Sequence, residues 1–107
     1  MKPNVYYPDW RASHWSIEGA NQPKEHAIYD ALTRMLDAYE KALEKHPDNW
    51  PQDVVHMTAI MMEEAGEAVQ AANDVAHADA SLEPLRLELA QTAAMCIRCL
   101  VNLEDRA

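Results

Sequence analysis

Between Leu85 and Val101 the chain is apolar on nearly every side of a helix: Leu85, Leu87, Leu89, Ile97, Leu100 and Val101 alternate with Ala90, Ala93, Ala94 and Met95. A helix without a polar face has to lie inside something. The whole chain has 107 residues, enough for one domain with one core. Two glycines, no Phe and six Met, with Ala and Leu plentiful, suit packed helices rather than a sheet. Three helices from a chain of this length do not easily surround one that is apolar all round. The expectation is an all-α fold in which dimerisation completes a four-helix-like core.

The helices can be placed from their period and punctuation. A first runs from Pro23 to about Lys45, with Ile28, Leu32, Met35, Leu36, Tyr39 and Leu43 at spacings of three and four. Its other side, rich in Glu, Asp, Lys and Arg, reads as a solvated face on which Lys41 and Glu44 form a weak pair. A turn over 46–51 leads to a second helix from Pro51 to about His77. Asp79 or Ser81 then caps the third, with Pro84 in its first turn and its end near Asn102 to Glu104. Residues 1–107 form a single domain on this reading, with a helical core over 23–104. Residues 1–22 show no period but hold Tyr6, Tyr7, Trp10 and Trp15, an aromatic-rich arm that packs on the body or on a second subunit.

Eighteen acidic residues against nine basic ones give a net charge of −9, which argues against a nucleic-acid backbone as partner. A phosphate ligand stays open if carboxylates first collect a metal ion. No apolar run reaches the roughly 18 residues of a membrane span. Cys96 and Cys99 are the sole cysteines and no apolar leader precedes them, so a cytoplasmic location with packed, reduced thiols is expected.

The chemistry concentrates at Glu63-Glu64-Ala65-Gly66-Glu67. At about 100° per residue, Glu64 and Glu67 are helical neighbours on a stripe continuing through His56 and Ile60. Glu64 points furthest into the apolar half, beside Met57 and Ala68. A carboxylate there carries a desolvation cost unless a cation compensates it. Gly66 costs about 1 kcal/mol of helix stability relative to Ala, which suggests close approach by another backbone or a ligand. Met57, Met61 and Met62 read as core. The third helix has one narrow polar stripe, Glu88, Gln91, Arg98 and Asn102. Two helices that each offer an i, i+3 pair of oxygen ligands describe a hard-cation site, and Mg²⁺ suits it because it binds through a few carboxylates and substrate phosphates. Arg98 can reach a phosphate oxygen, or bond Asn102 one turn on. Lys41, Lys45 and Arg86 are further cations with weaker claims. His56 reads as a satisfied histidine or a group that supports the ligands rather than as a ligand itself.

Glu63-Glu64-Ala65-Gly66-Glu67, with Glu88-Leu89-Ala90-Gln91 twenty residues later, resembles the E-E-x-x-E … E-x-x-D signature of the MazG-like all-α nucleoside triphosphate pyrophosphohydrolases. Trp50-Pro51, His56 and the run from Ala90 to Met95 resemble small, phage-type members, and the likeness extends from Trp50 to Leu103. It implies a helical bundle that pairs into homodimers or homotetramers. It also implies Mg²⁺-dependent cleavage of a nucleoside triphosphate to monophosphate and pyrophosphate, with Mn²⁺ as a substitute. Carried over, Glu64, Glu67 and Glu88 are metal ligands, Glu63 a further ligand or the group that positions water, and Arg98, His56 and Asn102 candidate substrate contacts. Gln91 stands where the family pattern has Asp; its carbonyl can bind the metal, but it lacks charge and cannot act as a base. Two alternatives stand beside this reading. One is a degenerate helical dimer that binds nucleotide or protein without hydrolysis; the other is a di-iron bundle, which the lack of Glu-x-x-His pairs disfavours.

Overall fold

A computed structural model describes residues 22–104 and residue 106, with side chains from residue 26 onward. Among the described residues three helices succeed one another: α1 (Gln22–Lys45), α2 (Val54–Ala78) and α3 (Glu83–Glu104). The expected all-α class holds, with no strand among the described residues. The aromatic arm lies outside them up to residue 21. Contacts divide the chain into two units, Met1–Leu32 and Thr33–Ala107, and the second holds the later part of α1 together with α2 and α3.

Two helix starts differ from the sequence reading. α2 begins at Val54 rather than Pro51, because Asp53 in extended conformation turns its carboxylate back to accept from Val55 N at 3.2 Å. An acidic N-cap satisfies a free helix donor, which Pro51, three residues upstream, cannot do. Asp79 caps the end of α2, not the start of α3. It adopts the left-handed conformation (φ 60°, ψ 27°), and its N–H donates to Asp74 O. Asp is among the few non-glycine residues that tolerate this conformation. α3 then starts at Glu83 with Pro84 in its first turn, where a missing N–H costs nothing.

The extensive helix pair is α2 with α3. The buried residues of this pair are Met57, Ala68 and Ala71 on α2 and Ala90, Ala94 and Arg98 on α3, and most are small side chains of the kind that let helices pack closely. Of the expected methionine core, Met57 is buried, Met61 half-buried and Met62 exposed. α3 is not enclosed within the single chain: Leu87, Leu89, Leu100, Val101 and Leu103 are exposed, and so are Val55 and Val69 of α2. Cys96 is exposed rather than packed, while the Cys99 thiol donates to Met57 O at 3.6 Å and burial pushes its pKa up.

The segment of α1 after Thr33 is tied to α3 at both ends. Arg34 pairs with Glu83 at 3.0 Å, and Glu83 also takes Arg86 at 3.3 Å; these two arginines hold its carboxyl below the usual range. At the far end Arg98, only 4% exposed, donates to Ala42 O at 3.3 Å and to His46 O, and its guanidinium lies 4.8 Å from the Trp50 ring centre. The last carbonyls of a helix have no intrahelical donor and carry its negative dipole end, so a buried cation meets both needs there. Arg106 similarly donates to Gln52 O and to its side chain, holding the chain before α2.

Gly66 is exposed, and a Cβ placed on it meets nothing within 4 Å. The close approach expected from the sequence is therefore absent among the described residues. Gly66→Ala is expected to raise stability by about 1 kcal/mol, a gain of about 4–8 °C in Tm that thermal unfolding reads directly.

Candidate metal centre

α2 and α3 bring Glu64, Glu67 and Glu88 together: one carboxylate oxygen from each lies within 4.8 Å of the others. Glu64 and Glu67 meet because they are i, i+3 on α2, and the packing of α3 on α2 sets Glu88 against them. Glu67 is exposed, whereas Glu64 and Glu88 are half-buried. Glu64 Oε2 and Glu88 Oε1 are shielded from solvent and have no hydrogen-bond partner. Buried carboxylate oxygens without a donor are uncommon, since the uncompensated charge is costly.

Electrostatics carry the same signature. Burial raises the pKa of Glu64 above 4.5, and the neighbouring charges of Glu67, Glu88 and Glu63 push it further. Glu88 is raised by burial, then by the charge of Glu67, then by a hydrogen bond to Glu67 that only the protonated acid can make. A divalent cation among these oxygens would supply the charge that the protein does not, and three carboxylate oxygens are a hard-cation donor set.

This arrangement sets the pH dependence of the metal-free chain. Glu64 and Glu88 are harder to ionise folded than unfolded. Between 4.5 and their raised folded values the native state therefore holds more protons than the unfolded one. Their contribution is most favourable below 4.5 and is lost as pH rises through that window. In chelator, the denaturant midpoint of Glu64→Gln is expected to fall less over this window than that of the parent chain. An unchanged pH slope would show that neither burial nor the neighbouring carboxylates make Glu64 harder to ionise.

The other sequence candidates are distributed around this cluster. Gln91 lines a cleft of about 910 Å³ together with Glu64, so the neutral amide faces the same space as one acid of the cluster. Glu63 is exposed on the adjacent helix position, near enough to act on Glu64 electrostatically. Arg98 borders the cleft, but its guanidinium is turned to backbone carbonyls and to Trp50 rather than standing free for a phosphate. Asn102 Nδ2 donates to Arg98 O at 2.8 Å. His56 is exposed in the first turn of α2, because Met57 takes the inward position beside it.

The α1 side of the cleft was not legible in the sequence. α1 contributes Arg34, Asp37, Lys41 and Lys45, and Trp50 adds an Nε1 that is buried without an acceptor. The face read as merely solvated thus borders the cleft, and the expected Lys41–Glu44 pair does not form among the described residues. The period of 34, 38, 41, 42 and 45 was the available signal; what it faced was not. Set against protein-family models, curated proteins and solved structures, the chain matches none.

Proposed function

We propose that the protein is a Mg²⁺-dependent nucleoside triphosphate pyrophosphohydrolase that releases pyrophosphate from an NTP or dNTP. The observation that carries the reading is the pair of buried carboxylate oxygens, Glu64 Oε2 and Glu88 Oε1, without any donor, clustered with Glu67 on two packed helices. The resemblance of Glu63–Glu67 and Glu88–Gln91 to the MazG-like signature supplies the reaction class.

In this reading Glu64, Glu67 and Glu88 hold the metal, and Gln91 adds a neutral carbonyl beside them. The bound cation, Mg²⁺ or Mn²⁺ in its place, neutralises phosphate charge and lowers the pKa of water. Glu63, exposed and outside the cluster, is the carboxylate left to orient that water and receive its proton. Ile60 and Met95 add apolar surface to the lining of the cleft. Exposed apolar residues of α3, from Leu87 to Leu103, favour a homodimer or homotetramer. A cytoplasmic location and a role in keeping the nucleotide pool clean fit the same reading. No helix among the described residues is long and apolar enough to cross a membrane.

The test is a panel of standard and modified nucleoside triphosphates with Mg²⁺ or Mn²⁺, read as pyrophosphate. Release from at least one supports the assignment. Gln91 favours one second reading, a nucleotide-binding or protein-interaction dimer without hydrolysis, because the position loses a charge and a base. Thermal stabilisation by metal and nucleotide, with no pyrophosphate formed from any member of the panel, selects it.

A further inference from the structure

The chain has twice as many acids as bases, yet three of its nine basic residues, Arg34, Lys41 and Lys45, line one wall of the cleft. They lie on one face of α1, which also brings Asp37 to the cleft, and Glu64 of α2 and Gln91 of α3 line the same cleft. Arg34 is neutralised by Glu83, but Lys41 and Lys45 have no carboxylate partner among the described residues. Compensation of the helix dipole accounts for a lysine in the last turn, Lys45. It does not account for Lys41, a turn earlier, nor for placing both beside a cavity. Trp50 Nε1, a buried donor with no acceptor, borders the same cleft. Arg98 holds α1 in this position while leaving the lysines free.

We infer that the α1 wall binds the polyphosphate end of an anionic ligand through Lys41 and Lys45, with the carboxylate cluster serving a different part of it. The inference rests on the pyrophosphohydrolase reading for what the ligand is, and names which residues take its terminal phosphates. With Arg34 paired to Glu83, Lys41 and Lys45 still outnumber Asp37 on the α1 lining, so bare phosphates are attracted to α1 and repelled from Glu64, and metal and lysines divide the chain of phosphates between them. As water would form its bond to the α-phosphorus and pass its proton to Glu63, the bond from that phosphorus to the bridging oxygen would break, the leaving pyrophosphate would keep the electron pair, and the lysine ammonium groups would stabilise that charge without giving up a proton.

The test uses inorganic tripolyphosphate, titrated calorimetrically at saturating Mg²⁺ into the full chain, the double variant Lys41→Gln/Lys45→Gln, and Arg86→Gln. The last removes a charge outside the cleft. The double variant is expected to bind at least about tenfold more weakly, equivalent to about 1.4 kcal/mol. Its loss should shrink as salt is raised, and Arg86→Gln should bind as the parent does. The Tm shift on adding Mg²⁺ alone should be the same in all three, since the lysines do not touch the carboxylate cluster. Equal affinity of the parent and the double variant, an equal loss in Arg86→Gln, or no binding to the parent overturns the inference. Failure of the nucleotide panel overturns the enzymatic reading instead, and leaves this titration interpretable on its own.

Discussion

Glu64→Gln and Glu67→Gln are each expected to lower Mg²⁺-dependent pyrophosphate release at least about 100-fold, with helix content unchanged. The floor comes from the cost of losing a group that merely supports a metal ligand, about 10–100-fold; losing a ligand itself should exceed it. Glutamine keeps the shape of glutamate and still offers one oxygen, so the substitution isolates charge. The structure adds an expectation that separates this outcome from damage to the fold. Glu64 is raised by burial and by three neighbouring carboxylates, so neutralising it relieves repulsion in the metal-free protein. The variant should melt at or above the parent temperature in chelator, and lack the stabilisation that Mg²⁺ is expected to give the parent under the proposed function. Circular dichroism melts with and without Mg²⁺ measure this beside the pyrophosphate assay. Undiminished turnover in both variants would sink the assignment.

Arg98→Met should destabilise the protein by about 2–4 kcal/mol. Two hydrogen bonds from a charged donor contribute roughly 1.5–3 kcal/mol each, and the contact with Trp50 adds about 1 kcal/mol; relief from burying a cation offsets part of that. What is lost is specific. His46 O loses its donor, and Ala42 O keeps only the His46 N–H at 2.9 Å, so the end of α1 is held less tightly. Hydrogen exchange at the His46 amide should accelerate more than exchange in α2. Arg98→Lys should not rescue stability, because one ammonium cannot span two carbonyls and stack on an indole. If Arg98 acted only on substrate phosphate, as its place on the polar stripe of α3 suggested, Arg98→Met would leave the melting temperature alone and raise KM.

Arg98 shows how far linear pattern goes. Periodicity could say that it shares a narrow stripe with Glu88, Gln91 and Asn102, and that a buried cation needs an acceptor. The acceptors are carbonyls 52 and 56 residues earlier in the chain. Backbone carbonyls have no sequence identity, so no motif could announce them. The same holds for Asp79. Its residue type suits either end of a helix, and the choice fell to the C-cap because the chain there turns left-handed before α3.

What the sequence alone determined are the local quantities: three helices, the i, i+3 adjacency of Glu64 and Glu67, and the misfit of acids on otherwise apolar helix surfaces. Each of these depends on the 3.6-residue repeat and on the chemistry of a few neighbours. Tertiary structure decided the rest. It brought Glu88 to Glu64 and Glu67 by packing α3 on α2. It turned His56 outward, spent Arg98 on the end of α1, and made a cleft wall from a face that looked merely solvated. The reason is physical: a side chain's partner across a helix interface is fixed by how two surfaces pack, and that depends on residues far apart in the chain.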